Sequence, residues 1–245
     1  MYANLKKRYG QNFLIDKNIT NKIVNLISLE GLNILEIGPG DGRLTKEIIN
    51  KKPSHFKIIE IDKDLIKDLN LKFSKYQFVE IVNDNFLDLE IQNKFDLVIS
   101  NLPYNISSQI LVKLALLKNT PDKLILMFQR EFGQRLLEKK INALNSLVQC
   151  FYKIEFCFNV SRNSFKPVPK VESSVLMFSK RDRKLIYENE IDNFIKFKRY
   201  LFSHKRKSLG NLLKQYKFDN KFDLSLRVED LELSTLLKIF RDINF

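Results

Sequence analysis

The 245-residue sequence is poor in cysteine and histidine, with two of each. Cys150 and Cys157 lie close to strand-like sequence without further cysteines nearby, so we predict buried, reduced thiols rather than a disulfide or a metal pair. His55 and His204 are too isolated along the chain to indicate a zinc site. We therefore expect no bound metal.

Long apolar runs are also missing. No run approaches the roughly 20 residues that a membrane-spanning helix needs, and the first residues lack the apolar core of a secretory signal. Neither internal repeats nor low-complexity linkers occur. Because 44% of the residues are hydrophobic, the chain can bury a large core. These features predict a cytoplasmic protein with no membrane contact, built from one main domain and one small domain.

Glycine is scarce, yet three of the seven glycines, Gly38, Gly40 and Gly42, fall within five residues. They follow the strand-like run 34–37 and precede a helical pattern. Glycine allows positive φ and close approach of the backbone to a ligand, and a helix amino terminus follows, so this turn predicts a nucleotide cradle. Leu44 stands where an NAD fingerprint would need a third glycine or an alanine, which weakens the case for NAD. A tight turn without a ligand is the alternative.

Two carboxylates follow the next two strand-like runs. Glu60 comes twenty residues after Gly40, a spacing that suits an acidic residue accepting both ribose hydroxyls of a nucleoside. Asp84 follows the run 78–82 and could accept a hydrogen bond from an adenine amine. An aspartate in this position is also typical of a turn or a helix cap.

Four residues, Asn101, Leu102, Pro103 and Tyr104, follow the apolar run 95–100. Ligands bind at the carboxyl ends of strands in open α/β sheets. Pro103 stiffens the turn, the side-chain oxygen of Asn101 and the carbonyl of Leu102 can accept hydrogen bonds from an amine, and the Tyr104 ring can stack on a base. The tetrapeptide resembles the active-site signature of amino-group methyltransferases, and the alternative is an ordinary turn at the end of a strand.

The apolar runs predict a doubly wound α/β domain over about residues 1–179, followed by a small helical domain over 180–245. We predict seven strands, and they lie at 33–37, 56–61, 78–82, 95–100, 123–129, 152–160 and 171–179.

The net charge of +13 indicates a polyanionic partner, although 31 lysines against 11 arginines suggest a compositional bias that inflates it. The distribution is more informative. Residues 180–217 hold 12 Lys and Arg against 4 Asp and Glu. Apolar residues interleave with them at helical spacing, which predicts one face packed on the core and a basic face outward. An RNA-binding surface is favoured over a merely solvated helix.

Several motifs together resemble the ribosomal RNA small-subunit adenine dimethyltransferase family, over nearly the whole chain. They are Lys7 to Leu14, Glu36 to Gly40, Asn101 to Ser107, Phe165 to Ser173, His204 to Leu209 and Arg227 to Leu231. The resemblance implies a seven-stranded class I methyltransferase (Rossmann-like) domain that uses S-adenosyl-L-methionine. It also implies N6-dimethylation of two adjacent adenines near the 3′ end of small-subunit (16S) ribosomal RNA, in ribosome biogenesis.

The resemblance carries over to individual residues. Asn12 and Leu14 would close over the cofactor beside Gly38, Gly40, Glu60 and Asp84, and Asn101 could touch it too. Phe165 would stack on the target adenine opposite Tyr104. The RNA contacts would come from Lys205, Arg206 and Lys207.

The resemblance leaves some points open. Asn142 to Leu147 lacks the Tyr-Gly-Arg expected there, which puts some RNA contacts in doubt. We expect a monomer whose partner is small-subunit RNA or its assembly intermediate. The alternatives are a methylase of adenines in large-subunit RNA or another nucleic acid, and a non-catalytic RNA-binding assembly factor.

Overall fold

The computed structural model describes residues 11–204, 206–217 and 222–243. The described residues form two compact units. The first comprises the residues up to Gly133 together with Ile154–Lys180, and the second comprises Gln134–Lys153 together with the residues from Arg181 onward. The predicted division at 179 and 180 differs from these units, because the structure groups Gln134–Lys153 with the carboxyl-terminal part of the chain.

A seven-stranded sheet forms the framework of the fold, with the strand order β4-β3-β2-β5-β6-β9-β7. Strands β2 to β6 pair in parallel and β9 pairs antiparallel with β6. The strands are β2 (Asn33–Ile37), β3 (His55–Glu60), β4 (Val79–Asn83), β5 (Leu97–Asn101), β6 (Lys123–Gln129), β7 (Tyr152–Val160) and β9 (Ser173–Lys180). The predicted doubly wound sheet is confirmed, and the predicted strand ends lie within two residues of the observed ones.

The central strands β2, β5 and β6 form in mostly apolar sequence because this part of the sheet is buried on both faces. Neighbours along β2, Ile34 and Leu35, point to opposite faces, and both are fully buried. One face packs in a hydrophobic cluster with the first helices, to which Ile23, Ile48 and Leu69 contribute. The sheet therefore fixes the positions of its carboxyl ends rigidly.

Helices precede, connect and follow the strands along the chain. Asp16 caps the first helix through Asn18 N and Ile19 N, and Asp62 caps the third through Asp64 N. The helices are α1 (Lys17–Val24), α2 (Arg43–Ile49), α3 (Lys63–Phe73), α4 (Ser107–Leu116), α5 (Arg130–Leu137), α6 (Asn145–Phe151), α7 (Ile191–Ser203), α8 (Leu209–Leu213) and α9 (Leu233–Asp242).

A two-stranded ribbon adds to the first unit and was not predicted. Strand β1 (Phe13–Leu14) pairs antiparallel with β8 (Phe165–Lys166). The backbone N–H of Ile15 also donates to Ser164 O. The ribbon thus fixes the residues just before β1, which lie beside the sheet's carboxyl ends.

In the second unit, two asparagines build the turn between α5 and α6. Asn142 Oδ1 accepts from Leu144 N and Asn145 N, and Asn145 Oδ1 accepts from Asn142 N. Asn145 Nδ2 donates to the carbonyls of Arg135 and Lys140. The two asparagine side chains therefore bond the backbone of the stretch without Tyr-Gly-Arg, whereas the buried Ser146 Oγ has no hydrogen-bond partner among the described residues.

Candidate active site

A cavity opens in the first unit, where β2 to β5 end. Of the residues predicted for the site, it is lined by Asn12, Leu14, Gly38, Gly40, Glu60, Asp84, Asn101, Leu102, Pro103 and Tyr104. They come together because the carboxyl ends of neighbouring parallel strands meet at one edge of the sheet.

The glycine turn forms one wall of this cavity. Gly38 and Gly40 have φ values of 66° and 62°, a region that side-chain-bearing residues avoid. A Cβ on Gly40 would lie 2.7 Å from Phe13 Cδ1, which only a shift of the ring could relieve. The turn therefore requires glycine, and it leaves bare backbone facing the cavity.

Glu60 joins the end of β3 to the glycine turn. Its Oε2 accepts from Gly40 N at 3.3 Å and its Oε1 accepts from Asp62 N at 2.9 Å. Burial raises the pKa of the Glu60 carboxyl, and the two backbone N–H donors oppose that shift. The carboxylate both organises the turn and presents acceptor capacity to the cavity.

Glu36 is a further acidic residue in the cavity wall, and the sequence pattern alone did not assign it to the site. It is 1% exposed and its Oε2 accepts from Thr45 Oγ1 at 2.6 Å. Burial raises the pKa of Glu36 to about 8, although the Thr45 hydrogen bond opposes the shift. Glu60 and Asp41 add to the rise through their negative charges. The carboxyl is therefore largely protonated at neutral pH.

The wall beyond Glu60 combines polar and apolar groups. Exposed Asp84 accepts from Asn85 N at 2.7 Å, and the apolar Ile61 beside Glu60 is 41% exposed. Lys113 of α4 fastens the loop that continues this wall, because its Nζ donates to the carbonyls of Phe86, Leu87 and Leu89. Ile61 was not predicted, although an apolar residue directly after Glu60 is a usable signal. Lys113 has no local signal, since its acceptors lie more than 20 residues away.

Asn101 and the residues after it form the opposite wall. Asn101 Nδ2 donates to Asn12 O at 3.0 Å, which leaves Oδ1 as the amide's acceptor. Leu102 has a buried side chain, and Ile106 N donates to Pro103 O at 3.2 Å, closing the turn. This wall can accept hydrogen bonds from an amine.

Tyr104 lines the cavity, and its hydroxyl forms a hydrogen bond with a residue that does not line it. Tyr104 Oη and Ser173 Oγ are 2.6 Å apart. Burial raises the pKa of the Tyr104 phenol, and the hydrogen bond to Ser173 opposes that rise. Ser173 belongs to β9, far along the chain, so this contact was not predictable from sequence.

Phe165, predicted to stack on the target base, is not among the cavity residues. It is 1% exposed and packs in the hydrophobic cluster that includes Leu14. The reason is the ribbon, which pairs Phe165 with Leu14 and directs its ring into the core. The assignment of Phe165 to base stacking stays a prediction.

The predicted RNA-binding residues belong to the second unit. Arg206 and Lys207 are exposed after α7, whereas Lys205 lies outside the described residues. Phe194, Phe197 and Leu201 of α7 are fully buried, as the helical spacing predicts.

Lys198 differs from the rest of the basic segment. It is only 6% exposed, and its Nζ donates to Ala143 O at 2.6 Å. Burial lowers the pKa of Lys198 to about 8. This lysine holds the α5–α6 turn and does not belong to the outward basic face.

The described residues hold no cluster of three or more His, Cys, Asp or Glu side chains that could bind a metal ion. Within the same ranges, no helix is both long enough and apolar enough to cross a membrane.

The fold and its cavity define a class I methyltransferase. The structure superimposes on a dimethyladenosine transferase from Plasmodium falciparum with a TM-score of 0.82 and 24% identity, over 95% of this chain and 97% of that one. It superimposes on the 23S rRNA methyltransferase ErmE with a TM-score of 0.77 and 24% identity, over 96% and 100% of the two chains.

The chain belongs to the ribosomal RNA adenine dimethylase family, whose model matches residues 2–241. A ribosomal RNA small subunit methyltransferase A from Mycoplasmopsis pulmonis is 36% identical over 97% of this chain and 98% of its own. The protein of the same name from Onion yellows phytoplasma is 37% identical over 98% and 96%.

Proposed function

We propose that the chain uses S-adenosyl-L-methionine to dimethylate N6 of two adjacent adenines near the 3′ end of small-subunit ribosomal RNA. The observation that carries the proposal is the single cavity that joins the glycine turn, Glu60 and Asp84 to the Asn101–Tyr104 wall. The small-subunit target is supported by the names of the sequence relatives. We place the activity in the cytoplasm, with the chain acting as a monomer.

The residues of the first wall fit the cofactor. Gly38 and Gly40 hold the positive φ values of the turn, and Gly40 leaves backbone bare where a Cβ would crowd Phe13. The Glu60 carboxylate can accept from ribose hydroxyls. Asp84 can accept from the adenine amine while Ile61 packs against the ring. Asn12 and Leu14 close the cavity from the amino-terminal side. When bound, S-adenosyl-L-methionine supplies an electrophilic methyl group.

The second wall fits the target amine. The lone pair of an adenine N6 amine is delocalised into the ring, which makes it a poor nucleophile. Asn101 Oδ1 and the Leu102 carbonyl, by accepting its two N–H groups, favour a pyramidal nitrogen whose lone pair points toward the methyl group. The Tyr104 ring stacks on the flipped base. Catalysis then depends on positioning and electrostatics, because the methylated amine loses its proton readily.

The test is methylation of separated ribosomal subunits that lack these methyl groups. The protein is incubated with labelled cofactor and either small or large subunits, and modified adenines are mapped by mass spectrometry. We expect dimethylation of two adjacent adenines near the 3′ end of small-subunit RNA. If only large-subunit RNA is labelled, the substrate is large-subunit RNA and the proposed target is wrong. RNA binding without any label would indicate a non-catalytic assembly factor.

A further inference from the structure

Two adjacent serines begin β9, and their hydroxyls meet different partners. Both side chains are buried. Ser173 Oγ lies 2.6 Å from Tyr104 Oη. Ser174 Oγ has no hydrogen-bond partner among the described residues and lies close to Gly133, where an added Cβ would be 2.3 Å away. The Ser173 hydroxyl therefore contacts a residue of the cavity wall. Ser174, a buried serine of the same strand without that contact, offers a matched control.

The strand gives Ser173 a rigid anchorage. Ser173 lies opposite Gln129 in the antiparallel pair of β6 and β9. The backbone N–H of Arg130 donates to Glu172 O at 2.9 Å, and the Arg130 guanidinium lies 3.3 Å from the Glu172 carboxylate. Because these contacts hold the residues on both sides, the backbone of Ser173 has a fixed position from which its hydroxyl reaches Tyr104.

Tyr104 is fixed at both ends by serines. Ser107 Oγ donates to the Tyr104 backbone carbonyl at 3.2 Å, and Ser173 holds the phenol oxygen at the tip of the ring. A hydrogen bond at the phenol oxygen restrains χ1, the torsion that moves the whole ring, whereas rotation about χ2 leaves this oxygen in place. The position of the ring beside the cavity is therefore set before any base arrives.

We propose that Ser173 is a positioning residue, which holds the Tyr104 ring at the place in the cavity wall where the target adenine stacks. The inference rests on the proposed function, because it concerns the same adenine. It assigns the Tyr104 hydroxyl to anchoring, and it leaves the ring face as the group that touches the base. A ring that is free to move about χ1 occupies that place only part of the time, so productive complexes become rarer.

The experiment compares Ser173→Ala, Tyr104→Phe and the double variant with Ser174→Ala as the matched control. Methyl transfer to small-subunit particles is measured under single-turnover conditions, and cofactor affinity is measured by calorimetry. Loss of a neutral buried hydrogen bond changes an equilibrium constant by roughly threefold to tenfold. We expect each single variant to slow transfer by about that factor, with unchanged cofactor affinity. The double variant should be no slower than either single variant, because both remove the same hydrogen bond.

A second substitution separates positioning from a general effect on folding. Ser173→Thr keeps the hydroxyl and should restore most of the rate, while thermal unfolding reports the integrity of each variant. If Ser173→Ala fails to fold, Tyr104→Phe still decides, because transfer at the wild-type rate would overturn the inference. Equal rates for Ser173→Ala and Ser174→Ala, or additive losses in the double variant, would also overturn it. An inactive wild-type protein would instead contradict the proposed function.

Discussion

At the scale of single residues, the side-chain amide of Asn101 has a defined orientation. Its nitrogen is committed to Asn12 O, so its oxygen is the atom that can accept from a target amine. We predict that Asn101→Ala lowers methyl transfer by two orders of magnitude or more, in the range seen when an oxyanion-hole donor is removed, about 10²–10³. Cofactor affinity should change little. Single-turnover transfer and calorimetry on the same preparation measure the two quantities.

A second substitution at the same position is also informative. Asn101→Asp keeps an acceptor but cannot donate to Asn12 O, so it tests whether the orientation of the group matters as well as its acceptor. A correctly folded Asn101→Ala protein with greatly weakened cofactor binding would reassign this residue to the cofactor.

Glu60 combines two tasks in one carboxylate. It accepts from Gly40 N and Asp62 N, and we expect it to accept from the cofactor ribose. Glu60→Ala should weaken cofactor binding by about 1.5–3 kcal/mol for each charged hydrogen bond removed, as measured by calorimetry. Glu60→Gln keeps the shape and should weaken binding less. Undiminished affinity in both variants would remove Glu60 from the binding site.

At the scale of elements, a hydrogen bond between α2 and β2 buries one titratable carboxyl, that of Glu36. Thr45 on α2 donates to Glu36 on β2, and burial raises the pKa of Glu36 from 4.5 to about 8. Between these values the folded chain keeps a proton that the unfolded chain releases. The free energy of unfolding should therefore fall as pH rises from about 4.5 to about 8, with a slope of at most about 1.4 kcal/mol per pH unit.

Glu36→Gln should remove that contribution, because glutamine is neutral at every pH. Urea unfolding of the cofactor-free protein at several pH values across this range measures the slope. The prediction concerns the difference between the wild-type and variant curves, since other groups titrate in both. Parallel curves would mean that Glu36 does not titrate in this window.

The elements also show which parts of the structure were accessible to sequence reasoning. The sheet strands were predictable because strands buried on both faces are continuously apolar, and the cavity followed because their carboxyl ends converge. The ribbon was not, since Phe13 and Phe165 belong to two-residue strands about 150 residues apart with no periodic pattern. Without that pairing, Phe165 could be placed only by family resemblance, and its role in base stacking stays a prediction.

Lys198 shows a signal that was present and overlooked. Phe194, Phe197, Lys198 and Leu201 follow the spacing of one helical face, which places the lysine inside the apolar stripe. The positive charge of Lys198 suggested a place on the basic surface, but its position in the apolar stripe buries the side chain. Counting charges places Lys198 among the RNA-binding residues, whereas the helical spacing of the sequence excludes it from them.

At the scale of the whole molecule, the excess positive charge is concentrated in residues 180–217. We predict that reversing Lys205, Arg206 and Lys207 to glutamate weakens binding to small-subunit particles. The slope of log affinity against log salt should fall by about 0.7 to 0.9 for each phosphate that is no longer neutralised. Binding titrations at several salt concentrations measure it.

The control reverses three exposed lysines elsewhere, Lys46, Lys67 and Lys118. The change in net charge is the same in both triple variants, so a general weakening of attraction would affect them equally. Similar salt slopes in the two variants would remove the 205–207 cluster from the RNA interface.

The burial of the two cysteines has a practical consequence for such measurements. Cys150 is fully buried and its Sγ lies 3.1 Å from Ser146 O, and burial raises its pKa to about 12. Burial also raises the pKa of half-buried Cys157. Alkylating reagents attack accessible thiolates, so burial and the raised pKa protect Cys150. A cysteine introduced on an exposed surface can therefore carry a fluorophore with Cys150 left in place, once the more accessible Cys157 is replaced by serine.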